Sequence, residues 1–180
     1  MILDRPAFPN LQQVISSMSE WLEAGDQLPK FSLRDDAGNQ VESTRWSGQP
    51  LVLYFYPKDD TPGCTKQACA FRDSASRLQE MGVAVVGVSC DTAESHAKFR
   101  DKYSLNFPLL VDQDHQFAER LGAWREKNMY GKKSMGIQRS TFLVDASGTI
   151  VKVWKRVRVD GHVDQVLAAI EEQLGGASDG

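Results

Sequence analysis

The sequence predicts an α/β sandwich with a central mixed sheet, and three features carry that prediction. "LVLYFY" at 51–56 and "VAVVGVS" at 83–89 are continuous apolar runs rich in branched and aromatic residues, the pattern of strands buried on both faces. Between them Cys64, Ala68, Phe71, Ala75 and Leu78 form one stripe at helical spacing. A helix between two buried strands makes them parallel, with a right-handed crossover. Finally, "RSTFLVD" and "TIVKVW" flank the turn "ASG" and read as a β-hairpin, which adds antiparallel strands to the sheet.

The remaining elements follow in order. Leu11, Val14, Ile15, Met18 and Leu22 share one face of an amphipathic helix over 10–24, with Asn10 as its cap and Gly25 as its stop. A short strand is expected near Phe31–Leu33. "DTAE" at 91–94 resembles a capping box opening a helix that runs to about Tyr103. A strand at Leu109–Val111 and a helix at His115–Leu121, ended by Gly122, come next, and 123–136 reads as a loop. Val163, Val166, Leu167, Ile170 and Leu174 form the inner face of a last helix, followed by a frayed "GGASDG". The expected division is an N-terminal extension at 1–24, one α/β domain at 25–175 and a disordered tail at 176–180. Strand order is not readable from pattern alone.

Composition narrows the function classes. The chain has 180 residues, 41% of them hydrophobic, enough for one domain with a real core. A net charge of -3 and no basic block beyond Lys132–Lys133 argue against nucleic acid as a partner. No apolar run reaches the roughly 18 residues of a membrane span, and Asp4, Arg5, Gln12 and Gln13 interrupt any signal-peptide core. Three cysteines, an odd count, fit a reducing, cytoplasmic setting, where a close pair is more often catalytic or metal-binding than structural.

That pair lies in "YPKDDTPGCTKQAC", with Cys64 at the first turn of the helix after the first buried strand. Ligands of such sheets bind beyond the carboxyl ends of the strands. The unpaired N–H groups and positive end of a helix favour a thiolate, the nucleophilic form. Pro62 and Gly63 shape the turn and leave little side chain to obstruct the sulfur, and Thr61 offers a hydroxyl nearby. The bland alternative for Cys64 is a small buried hydrophobe on the core stripe. Cys69, five residues on, would lie about 8.7 Å away in an intact helix, beyond the limit of about 7 Å for a disulfide. A static staple is thereby excluded. A cycle fits instead, in which Cys64 reacts, the helix start unwinds and Cys69 condenses with it. An inert cysteine on the helix flank is the alternative. Zinc fits poorly, because structural sites want Cys-x2-Cys spacing and four ligands, whereas His96, His115 and His162 are scattered and read as surface histidines. A thioredoxin-type Cys-x-x-Cys is also missing.

"YFYPKDDTPGCTKQAC" resembles the peroxiredoxins, specifically the bacterioferritin comigratory protein/peroxiredoxin Q subfamily. The family pattern of Pro, three residues, Thr or Ser, two residues and Cys falls on Pro57, Thr61 and Cys64, and "QRSTFLVD" matches the family arginine with Arg139. "GVSCDTAESHAKF", "FPLLVD" and "MYGKKSMGIQRSTFLVD" are further similar stretches, and the likeness covers about residues 24–175. The resemblance implies a thioredoxin-like fold and reduction of hydrogen peroxide or organic hydroperoxides. It implies Cys64 as the peroxidatic cysteine, passing through a sulfenic acid. It implies Arg139 as the stabiliser of thiolate and developing charge, Thr61 as a hydroxyl partner of the reacting atoms, Pro57 as a shield against water and Cys69 as the resolving cysteine. It also implies reductant from thioredoxin or a related dithiol protein, no metal or organic cofactor, and a monomer, with a dimer as the alternative.

Two features depart from the family pattern. The chain starts about two dozen residues before the usual family start, which makes Met18 an alternative initiator. Cys90, at the end of the strand 83–89, has no counterpart in many relatives and reads as a bystander or an alternative resolving thiol. The rival readings are a thiol–disulfide oxidoreductase on the same fold, and a non-enzymatic redox sensor acting through a partner.

Overall fold

The computed structural model describes residues 20–175. The strands are β1 (Ser32–Asp35), β2 (Gln40–Glu42), β3 (Leu51–Phe55), β4 (Ala84–Ser89), β5 (Leu109–Val111), β6 (Trp124–Met129), β7 (Lys132–Ile137), β8 (Ser140–Val144) and β9 (Ile150–Trp154). The helices are α1 (Pro62–Asp73), α2 (Ala75–Glu80), α3 (Ala93–Tyr103), α4 (Gln116–Leu121) and α5 (His162–Leu174), with a short 3-10 turn at Ser43–Trp46. A seven-stranded sheet runs β2-β1-β5-β4-β3-β8-β9, and β6 and β7 form a separate pair. β3, β4 and β5 are parallel neighbours, and every other pairing is antiparallel. This is the expected mixed sheet flanked by helices, the thioredoxin-like arrangement.

β3 shows why an unbroken apolar run was needed. All its residues are buried, and because side chains alternate across a strand they feed two cores. Val52 and Tyr54 join Phe71, Leu78, Phe99, Leu143 and Val166 on one face. Leu51, Leu53 and Phe55 join Phe31, Val86, Val88, Phe117 and Phe142 on the other. Tyr54 stacks on Phe71 with ring centroids 4.8 Å apart. It also passes so close to Gly87 that a Cβ there would lie 3.0 Å from its ring, so β4 needs glycine opposite this tyrosine. At Gly122 (φ +89) a Cβ would lie 2.5 Å from the Trp21 Cα. The glycine that stops α4 therefore also lets the chain before β1 cross it, where Leu22 N donates to the Leu121 carbonyl at 3.1 Å.

Several expectations change. The helix expected over 10–24 lies mainly outside the described residues, and its last stretch, 20–24, carries no helix. The tail at 176–180 is likewise outside them. The Cys64–Leu78 stripe is divided between two helices at Ser74, which closes α1 and opens α2. The α3 cap is Thr92, whose hydroxyl accepts from Ser95 N, while Asp91 turns inward to accept from Asp59 N and the Ser89 hydroxyl. The expected loop at 123–136 is instead the β6–β7 ribbon. Its turn residues Tyr130 and Gly131 both have positive φ (55° and 78°), as a tight two-residue hairpin requires. With Tyr in place of the usual Asn or Asp, and polar residues on both strands, that hairpin carried no recognisable pattern. The short β2 was also missed. His96 and His162 are buried, not surface residues, because each has polar partners inside the fold.

Candidate active site

β3 runs out at the carboxyl edge of the sheet, and residues 56–61 turn the chain back into α1. Thr61 takes the N-cap position in extended conformation, with Pro62 at the first helical position, where its missing N–H costs nothing. The Thr61 hydroxyl does not cap the helix; it donates to the Lys58 carbonyl at 2.9 Å. Thr65 N closes the first turn on the Thr61 carbonyl at 2.8 Å. The N–H groups of Gly63 and Cys64 are thus left at the open, electropositive helix start.

Cys64 is buried in this first turn, and Arg139 meets it from the position just before β8. The guanidinium donates through Nη2 to the Cys64 Sγ at 3.3 Å and through Nη1 to the Gln67 Oε1 at 2.7 Å. The guanidinium thus sets a fixed positive charge and an N–H donor directly on the sulfur. Gly63 also leaves room for the guanidinium: a Cβ there would lie 3.1 Å from Nη2, and the arginine would have to give way by a few tenths of an ångström. Gln67 was not singled out from the sequence. It lies one helical step beyond Cys64, is buried, and fixes the arginine with its oxygen while its Nε2 finds no partner. Its only signal was the (i, i+3) spacing that puts it on the Cys64 face.

Lys127, from the unexpected ribbon, is the second addition. Its side chain lies along Gly136, where a Cβ would be 3.5 Å from the Lys127 Cδ. Burial and the nearby Arg139 charge hold its amine below the ordinary lysine range, and Cys64 acts on it in the opposite sense.

Pro57 lies two residues past the end of β3 and is exposed. Cys69 lies on the intact α1, partly buried, and all three cysteines are free thiols. Cys90 stands at the same edge of the sheet as Cys64 but packs with the core on the opposite face. Burial, then the carboxylates of Asp112, Asp91 and Asp114, push its thiol up to about 12. The sequence placed the two thiols near each other along the edge; it could not tell that the sheet lies between them.

Behind the turn lies a buried polar cluster. Asp59 accepts from the Tyr56 hydroxyl at 2.6 Å, the Ser95 hydroxyl at 2.8 Å and the His96 Nδ1 at 2.7 Å. With Asp91 these groups could in principle surround a cation. Their oxygens and nitrogens are instead occupied by one another, which makes the cluster a hydrogen-bond network.

The sequence pattern of the AhpC/TSA family matches residues 24–153. Peroxiredoxin Bcp of Escherichia coli (strain K12) is 48% identical over 151 residues, covering 84% of this chain and 97% of its own. Peroxiredoxin Bcp of Bacillus subtilis (strain 168) is 44% identical over 151 residues, covering 84% and 96%. Among solved structures, a cysteine-to-serine mutant of Xanthomonas campestris peroxiredoxin Q superposes with a TM-score of 0.79 at 39% identity, covering 84% of this chain and 99% of that one. A second X. campestris structure, from work on the alkyl peroxide reduction activity of bacterioferritin comigratory protein, gives 0.76 at 40% identity, covering 79% and 91%. On this evidence the chain belongs to the AhpC/TSA family and, within it, to the Bcp/peroxiredoxin Q peroxiredoxins.

Proposed function

We propose that the chain is a thiol-dependent peroxidase that reduces hydrogen peroxide and organic hydroperoxides, with Cys64 as peroxidatic and Cys69 as resolving cysteine. The observation that carries this is the Arg139 guanidinium on the Cys64 sulfur at the open start of α1, braced by Gln67. The thiolate attacks the hydroxyl oxygen of ROOH, the O–O bond breaks, and Cys64 becomes a sulfenic acid while RO⁻ leaves and takes a proton to give ROH. Arg139 stabilises the attacking sulfur and the charge that moves onto oxygen. The Thr61 hydroxyl turns from Lys58 to the peroxide, and Pro57 shields the pocket rim from water. The first turns of α1 then unwind, the Cys69 thiol condenses with the sulfenic acid, and water leaves. Thioredoxin or a related dithiol protein supplies two electrons and two protons to restore both thiols. No cofactor enters any step. The relatives' names and the alkyl peroxide work on the X. campestris protein support the substrate class. The odd cysteine count suits a reducing, cytoplasmic setting.

Mass spectrometry after one equivalent of hydrogen peroxide tests this in wild type, Cys69→Ser and Cys90→Ser. A Cys64–Cys69 disulfide in wild type, with Cys69→Ser stopping at sulfenic or sulfinic acid, supports the cycle. A Cys64–Cys90 disulfide would sink it. Turnover with excess thioredoxin and its reductase separates an enzyme from a sensor that reacts once, and from a disulfide oxidoreductase indifferent to peroxide.

A further inference from the structure

We infer that His96 and Asp59 are a positioning pair for the reaction: they moor the turn before α1 to α3 and set the balance between the wound form, in which Cys64 meets peroxide, and the unwound form, in which it meets Cys69. The inference rests on the two-cysteine cycle proposed above.

The chemistry of the pair is readable from its acceptors. His96 is 0% exposed, and both its ring nitrogens face acceptors: Nδ1 the Asp59 carboxylate at 2.7 Å, Nε2 the Leu110 carbonyl at 2.9 Å. The Leu110 carbonyl can only accept, so Nε2 carries a proton, and the proton of the Nδ1–carboxylate bond is shared between the ring and Asp59. Asp59 is 7% exposed, and its carboxylate also accepts from Tyr56 and Ser95. A buried pair bonded on so many sides holds firmly, and removing one partner leaves the other's polar atoms buried and unsatisfied.

The pair sits where it controls the nucleophile. Asp59 is five residues before Cys64, on the turn between β3 and α1, while His96 and Ser95 belong to α3. Asp60, next in the chain, has a positive φ of 56° and is tied to the same helix by Lys102 and Tyr103, each at 2.8 Å. A non-glycine residue in that conformation persists only when its surroundings impose it. By contrast, the start of α1 has no side-chain cap. Much of what keeps the first turn wound, with Cys64 under Arg139, is therefore the geometry of the moored turn. Loosening the mooring moves Cys64 off Arg139 and eases the unwinding that brings Cys64 to Cys69.

The test uses two substitutions that split the ring's contacts. In His96→Asn the amide nitrogen takes the place of Nδ1 and can still donate to Asp59; in His96→Gln it takes the place of Nε2 and serves only Leu110. Stopped-flow oxidation by hydrogen peroxide, with mass spectrometry of quenched samples, reads sulfenic acid, disulfide and sulfinic acid separately. For His96→Gln the expected result is a peroxide step slower by about tenfold, faster disulfide closure and less sulfinic acid at high peroxide. His96→Asn should restore much of the wild-type balance. Ser95→Ala, nearer the surface and less damaging to folding, should shift both steps the same way by a smaller factor. Equal slowing of both steps in all variants, or unchanged rates in folded His96→Gln and Ser95→Ala, overturns the mooring alone. A wild type that forms no Cys64–Cys69 disulfide overturns the cycle itself, and shows this before any variant is compared.

Discussion

Cys64 and Cys90 follow the neighbouring parallel strands β3 and β4 at one edge of the sheet, Cys64 in the first turn of α1 and Cys90 directly after β4, yet their surroundings are opposite in sign. Cys64 lies at a helix start under an arginine. Cys90 lies on the other face, half-buried among Asp112, Asp91 and Asp114, with its thiol pushed up to about 12. Position at the carboxyl edge is therefore not enough to make a nucleophile: Cys90 shares it, yet burial and its carboxylate neighbours hold the proton on its sulfur, and only a thiolate attacks.

The largest expected effect is on Cys64 itself. Cys64→Ser should abolish peroxide turnover, a fall of about 10³-fold or more in a thioredoxin-coupled assay. The contrast should appear equally in labelling. With its thiol near 12, Cys90 should alkylate about 10³-fold more slowly in the native protein than in the unfolded chain at pH 7, read by peptide mass spectrometry. Fast native labelling of Cys90 would break the comparison. Arg139→Met, which leaves Cys64 without its cation, should slow the peroxide step by about 10²-fold. Cys90→Ser should change turnover by less than about twofold, and a larger loss would give Cys90 a part in the cycle.

The two buried histidines make a second, milder contrast. Burial works against charging His96, but the hydrogen bond and charge of Asp59 win and raise it above the ordinary histidine value. Its stabilising contribution is thus fully present below about 6.5 and lost as pH rises through the raised folded value. His162 is packed edge-on to Phe71 and Trp154 and bonded to the Thr141 hydroxyl at 2.8 Å; burial, and to a lesser degree Arg139, lower it to about 4. Its contribution is present above about 6.5 and lost as pH falls towards 4, by about 3 kcal/mol at most. Urea unfolding at pH 4.5, 6 and 8 should show the acid loss flattened in His162→Asn and the alkaline loss flattened in His96→Asn.

What was legible in the chain was what depends on neighbours along it. β3 and β4 announced themselves as unbroken apolar runs, α1 by its stripe, and Gly122 as a stop. The peroxiredoxin pattern of Pro57, Thr61 and Cys64, with Arg139 far downstream, could be read because spacing along the chain carries it. The β6–β7 ribbon could not, because two polar strands that pair mostly with each other bury too little to leave a periodic trace, and a Tyr-Gly turn lacks the usual asparagine. Lys127 was lost with it. His96 and His162 looked like surface residues because a buried polar group is permitted only by its partners, and Asp59, Leu110 and Thr141 are distant in sequence from the rings they satisfy.

The sequence by itself determined the class of fold, the helix that carries Cys64 and Cys69, and a thiol set at a helix start. All three follow from periodicity and from the local electrostatics of a helix end. Only the tertiary structure decided that Arg139, braced by Gln67, meets the Cys64 sulfur, that Cys90 is turned to the opposite face among carboxylates, and that a buried histidine ties the turn before α1 to α3. These depend on strand order and on which face of the sheet each residue meets. That choice is made by packing two cores at once, and no spacing along the chain records it.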